Sequence, residues 1–159
     1  MEKVIVFKSP TYFDNRGSFT PLSLGVMDKK WVQSNISVND KVDTFRGLHY
    51  QIGEFEQAKL VKVIQGKIID YVVDLREESD DYMVLQKYEL TTDDAILVPR
   101  GYAHGFITLV DNVIVQYLVD NDYSKENERT FFWTNIADLK KELENKKLII
   151  SEKDTPISE

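Results

Sequence analysis

Residues 59–75 read KLVKVIQGKIIDYVVDL, and this stretch decides the fold class. Val61, Val63 and the stretch from Ile68 to Val73 carry its β-branched and apolar side chains, and Gln65-Gly66-Lys67 interrupts them. Two such runs about a glycine predict a β-hairpin. Outward from it, strands are expected at 32–38, 83–90, 95–98, 105–109 and 113–119. Many short strands punctuated by Gly, Asn and Asp point to an all-β sandwich or barrel. One segment departs from the pattern. Residues 135–147 space Ile136, Leu139 and Leu143 three and four apart, without Pro or Gly. That spacing predicts a short C-terminal helical segment with a charged outer face. The tail after Ser151 is polar, and composition alone expects it to fray.

The 159 residues fit one domain spanning 1–159, with no linker and no repeat. At 42% hydrophobic and 30% charged residues, the chain is too apolar for a disordered polypeptide. Its net charge of −7 lacks the basic surplus of a nucleic-acid binder. An anionic ligand still requires a locally basic site. The absence of cysteine excludes disulfides and thiolate metal centres. The opening MEKVIVFKSP has no long apolar core, and no run approaches the roughly 20 residues of a membrane span. A soluble, cytoplasmic protein is expected, with no membrane partner.

There are two histidines, His49 in FRGLHYQ and His104 in PRGYAHGF, each close to an Arg-Gly pair. A single histidine in such a place is ordinarily a half-buried, hydrogen-bonded side chain. Two in matching settings make a shared site the competing reading. A zinc or iron centre wants three or four ligands, and there is no third histidine. No metal is therefore expected. Tyr117 and Tyr123 flank the acidic turn VDND. Strand tyrosines pack cores and edges, yet a phenol can also donate a proton. Lys59 opens an apolar strand, where lysines commonly protect an edge. With Arg16, Arg46 and Lys153 it could instead form a local basic site for a diphosphate. Strict alternation would place Arg46 and His49 on opposite faces. Gly47 between them could permit a bulge that realigns the two side chains.

Five segments now resemble one family in order: FRGLHYQ, QAKLVKVIQGKIIDYVVDLREES, ILVPRGYAHGFITL, YLVDNDYSKENERTFFW and IISEKD. From about Tyr12 to Asp154 the chain looks like dTDP-4-dehydrorhamnose 3,5-epimerase and its relatives. The resemblance implies a homodimeric, cupin-type jelly roll with no cofactor, acting on a dTDP-linked 4-keto-6-deoxy sugar. It implies His49 as general base, Asp154 as its partner, Tyr117 as proton donor and Tyr123 stacked on the base. Substrate contacts implied by the same matches are Arg16, Gln33, Arg46, Gln51, Lys59, His104, Glu128 and Lys153. A ketone at C4 acidifies the hydrogens at C3 and C5. Lys59 and His104 would stabilise the enolate, each such donor being worth about 3–4 kcal/mol of barrier.

The chain also departs from the family pattern. A glutamate is usual five residues after the arginine of the DxRG motif. Here that position is Pro21, so the resemblance carries the keto-sugar chemistry rather than the identity of the base. Metal-dependent cupins place a second histidine where this chain has Gln51. Other readings stay open: an epimerase inverting C3 or C5 alone, or one using a different nucleotide sugar. A keto-sugar isomerase would carry extra histidines near the first motif. A non-catalytic sugar-binding cupin would need no base and acid pair.

Overall fold

The computed structural model describes residues 1–24 and 28–156. Its strands are β1 (Ile5–Lys8), β2 (Tyr12–Asp14), β3 (Gly17–Phe19), β4 (Gln33–Asn39), β5 (Phe45–Gln51), β6 (Lys59–Gln65), β7 (Ile68–Asp74), β8 (Leu85–Leu90), β9 (Asp94–Val98), β10 (Tyr102–Thr108), β11 (Val113–Val119) and β12 (Glu128–Thr130). One helix, α1 (Ala137–Leu143), follows them. Two antiparallel five-stranded sheets face each other, in the orders β1-β9-β6-β11-β4 and β12-β5-β10-β7-β8. Strands β2 and β3 form a separate small hairpin. This is a jelly-roll sandwich, as the recurrence of short strands leads one to expect.

The hairpin expected at residues 59–75 does not form. Strands β6 and β7 lie in different sheets, and the Gly66 turn carries the chain from one to the other. The reason is burial on both faces. From β7, Ile68 and Val72 enter the core between the sheets, while Tyr71 and Val73 enter a second core on the outer side. A strand buried on both faces reads as a continuous apolar run and takes a neighbour on each side. β6 has β9 and β11, and β7 has β8 and β10. No edge remains for them to pair with each other.

The second core explains the C-terminal segment. Leu139 and Leu143 of α1 are fully buried against Phe45, Leu48, Tyr71 and Ile107, worth about 1.5–3 kcal/mol each. The helix is shorter than the expected 135–147. Ile136 is extended at its N-cap, and beyond Glu144 the polar residues have nothing to bury. The chain then runs alongside β5. Phe45 N–H donates to the Ile149 carbonyl at 2.9 Å, and Ile149 N–H donates to the Asp43 carbonyl at 3.0 Å. Anchored this way, the polar tail does not fray. It ends in a 3-10 turn, Glu152–Asp154, with Asp154 buried.

Beneath β1 the ammonium of Lys62 is buried and donates to the carbonyls of Ser9, Thr92 and Asp94. A buried cation otherwise carries a large desolvation cost, so this net of carbonyls fixes where the N-terminal arm leaves the sheet. Among the described residues no helix is long and apolar enough to cross a membrane.

Candidate active site

The site is built on an irregularity in β5. His49 stands opposite His104 of β10, while Arg46 stands opposite Phe106. Three steps on one strand match two on the other, so β5 carries an extra residue. Gly47 is that point, with φ of +127°. A side chain there would meet Gly105 Cα at 2.6 Å, so the two strands approach as only paired glycines allow. Arg46 and His49 consequently share the inner face, against simple alternation. The bulge that the sequence permits is present.

His49 Nε2 lies 2.5 Å from Asp154 Oδ1, and Gly47 N–H donates to Asp154 Oδ2 at 3.2 Å. Burial pushes the Asp154 carboxyl up, but the His49 ring and the Gly47 and Ser151 hydrogen bonds outweigh it, and the net shift is downward. A carboxylate at Nε2 holds its proton there and leaves Nδ1 as the basic atom. His104 forms a second pair, with Nε2 2.7 Å from Oδ2 of the fully buried Asp70. Lys59 projects from β6 and donates to the His49 carbonyl at 3.2 Å. Burial brings its ammonium down to about 8, with Asp70 and Glu128 opposing.

Tyr117 comes from β11, in the facing sheet. Burial raises its phenol, against the nearby charges of Arg46 and Lys153, so it is protonated at neutral pH. Glu128 joins the two ends of the site. It accepts from Lys153 Nζ at 3.0 Å and from the Tyr123 hydroxyl at 3.1 Å. Burial raises its carboxyl, yet these partners hold it below the usual range.

These groups surround a cleft with two adjoining lobes of about 270 and 510 Å³. His49, Lys59, Tyr117 and Glu128 line both. Gln33, Gln51 and Tyr123 line the first, and Arg46, His104, Lys153 and Asp154 the second. The structure thus brings together every site residue singled out in the sequence except Arg16. Arg16 sits at the tip of the exposed β2–β3 hairpin and pairs with its neighbour Asp14 at 2.6 Å. Arg46, Lys59 and Lys153 supply the local basic site without it. Among the described residues no three His, Cys, Asp or Glu side chains cluster as metal ligands would.

Several lining residues were not anticipated. Beside the expected Gln33, strand β4 turns Asn35 and Ser37 inward, and exposes Ile36 and Val38 outward. That inversion of the usual sandwich pattern is visible as alternation in QSNISVN. Asp70, a carboxylate inside the apolar run IIDYVVD, is the other missed signal, since such a group is almost never buried unpaired.

A family model described as dTDP-4-dehydrorhamnose 3,5-epimerase matches residues 1–159. The protein of that name from Sinorhizobium fredii is 38% identical over 114 residues, covering 70% of this chain and 58% of its own. The one from Methanothermobacter thermautotrophicus is 34% identical over 165 aligned positions, covering 97% and 88%. Among solved structures, dTDP-4-dehydrorhamnose 3,5-epimerase from Bacillus anthracis, with TDP and PPi bound, superposes with a TM-score of 0.86 at 35% identity, covering 95% of this chain and 90% of its own. A 3,5-epimerase from Legionella pneumophila in complex with dTDP-4-keto-L-rhamnose gives 0.82 at 26% identity, covering 95% and 84%.

Proposed function

This chain belongs to the dTDP-4-dehydrorhamnose 3,5-epimerase family, and on that premise we propose that it inverts C3 and C5 of dTDP-4-keto-6-deoxy-D-glucose. The observation that carries the reading is one cleft with the His49–Asp154 pair on one wall and the Tyr117 phenol on the other. Nδ1 of neutral His49 takes the proton from the carbon next to the ketone, and the C–H electron pair moves to the C4 oxygen. Asp154 stabilises the imidazolium that forms. Lys59 and His104 stabilise the enolate where its charge develops. Tyr117 then protonates the same carbon from the opposite face, and the enolate pair collapses back to the ketone. The proton carried by His49 returns through solvent to the tyrosinate, and the site is restored. No metal or redox cofactor has a step to perform.

Arg46, Lys59 and Lys153 give an acidic protein a cationic pocket suited to a diphosphate. Tyr123 is half exposed at the mouth of the first lobe, where its ring can stack on a base. A homodimer accounts for Arg16. The β2–β3 hairpin exposes Tyr12, Phe13 and Phe19, the last two by 80% and 68%, and β4 exposes Ile36 and Val38. Such apolar surface on small elements calls for a partner surface. A second copy docking this hairpin would bring Arg16 to the neighbouring cleft.

The test is incubation with dTDP-4-keto-6-deoxyglucose in deuterated water, read by NMR. Deuterium at both C3 and C5 with an L-configured product is expected. Deuterium at one carbon alone would make the protein a single-centre epimerase, and none would overturn the substrate assignment.

A further inference from the structure

We infer that Asn39 is a positioning residue for substrate binding, acting through Arg46. Asn39 ends the edge strand β4 and is 2% exposed, an unusual place for an amide at a sheet edge. Its side chain is satisfied on both sides. Nδ2 donates to the Val113 carbonyl at 3.1 Å and, more weakly, to the carbonyl and hydroxyl of Ser37 at 3.4 and 3.3 Å. Oδ1 accepts from Arg46 Nε at 2.7 Å. This last bond crosses from one sheet of the sandwich to the other, at the rim of the larger lobe.

The chemistry of the contact gives it meaning. A guanidinium binds an anion through its two terminal nitrogens as a planar fork. Held at Nε, Arg46 has its plane and long axis fixed while the fork stays free. Among the described residues, only a contact of 3.5 Å, from Nη2 to the Val38 carbonyl, engages the fork. A long arginine side chain otherwise loses much of its rotamer freedom when a ligand immobilises it. Asn39 removes part of that loss before the ligand arrives, and binds neither substrate nor His49 itself.

This inference rests on Arg46 binding an anionic part of the substrate, as proposed above. It is tested in two steps that separate the two ideas. The first needs no substrate: hydrogen exchange of the Arg46 Nε proton by nitrogen-15 NMR, in the wild type and in Asn39→Ala. Faster exchange in the variant is expected, and unchanged exchange would overturn the positioning contact. The second is a double-mutant cycle on kcat/KM with Asn39→Ala and Arg46→Ala. Asn39→Ala should lower kcat/KM about tenfold, mostly through KM, the size of one lost hydrogen bond to a charged group. In the Arg46→Ala background it should cost nothing further. Equal losses in both backgrounds would show an independent structural role and overturn the inference. An Arg46→Ala variant of unchanged kcat/KM would overturn Arg46 as a binding residue and this inference with it. Asn39→Ser withdraws the acceptor from Arg46 while leaving a hydroxyl that can bond to a nearby backbone carbonyl. It should repeat the Asn39→Ala kinetics if the alanine variant folds poorly.

Discussion

Gly47→Ala tests the bulge on which the site depends. Two costs add at this position. Its φ of +127° lies where L side chains are strained, at about 1–3 kcal/mol. The new methyl would also sit 2.6 Å from Gly105 Cα and 3.0 Å from the His104 carbonyl oxygen. Both are backbone atoms, so β5 and β10 must separate, an overpacking cost of about 1–3 kcal/mol. The total is roughly 2–6 kcal/mol, a large share of the 5–15 kcal/mol that typically holds a domain. Gly17 provides the control. Its φ is +129°, yet nothing lies within 4 Å of an added Cβ, so Gly17→Ala carries the strain alone, about 1–3 kcal/mol. Urea unfolding of the two variants measures the difference. Gly47→Ala should also lower kcat by about a hundredfold, because the Gly47 N–H holds Asp154 and an error of about 1 Å in a catalytic pair has that effect. Equal destabilisation by the two substitutions, or a fully active Gly47→Ala enzyme, would refute the argument that close strand approach builds the site.

Other predictions concern the catalytic groups. His49→Ala should abolish turnover while thermal unfolding stays within a few degrees of wild type; substantial residual activity would remove His49 from the base role. Asp154→Asn leaves the shape but removes the charge that fixes the histidine tautomer. It should cost up to about 10⁴ in kcat, by comparison with other His–Asp pairs, and a near-normal kcat would make Asp154 a bystander. The pH dependence should carry a Lys59 limb. Burial holds its ammonium at about 8, so the charge that stabilises the enolate is present below that pH and lost above it, and kcat/KM should fall. Unfolding driven by this group cannot mimic the limb. Between about 8 and the ordinary value of 10.5 the native state binds fewer protons than the unfolded chain, so this group adds stability as pH rises. Lys59→Met should abolish the limb along with most of the activity.

The sandwich was legible because short β-branched runs and turn residues are local signals. Strand β11 was bounded to the residue at Val113–Val119. Pairing was not legible at β6 and β7. The Gly66 turn looks the same whether the chain folds back within a sheet or crosses to the facing one, and only burial of both faces separates the cases. Strand β12 and the β2–β3 hairpin are three residues each, too short to show a period. The alignment of Arg46 with His49 needed the bulge, which Gly47 permits but does not dictate. Asp154 could be found only through motif resemblance, since 105 residues separate it from His49. Asp70 was hidden in an apolar run, and its role appears once His104 is seen beside it.

The central claim is that base and acid work from opposite walls, and Tyr117→Phe tests it most directly. The variant would be incubated with dTDP-4-keto-6-deoxyglucose in deuterated water, and the recovered sugar examined by NMR. His49 still removes and returns protons on its own face, so deuterium should enter the sugar without inversion. Normal formation of the L-configured product by Tyr117→Phe would contradict the account.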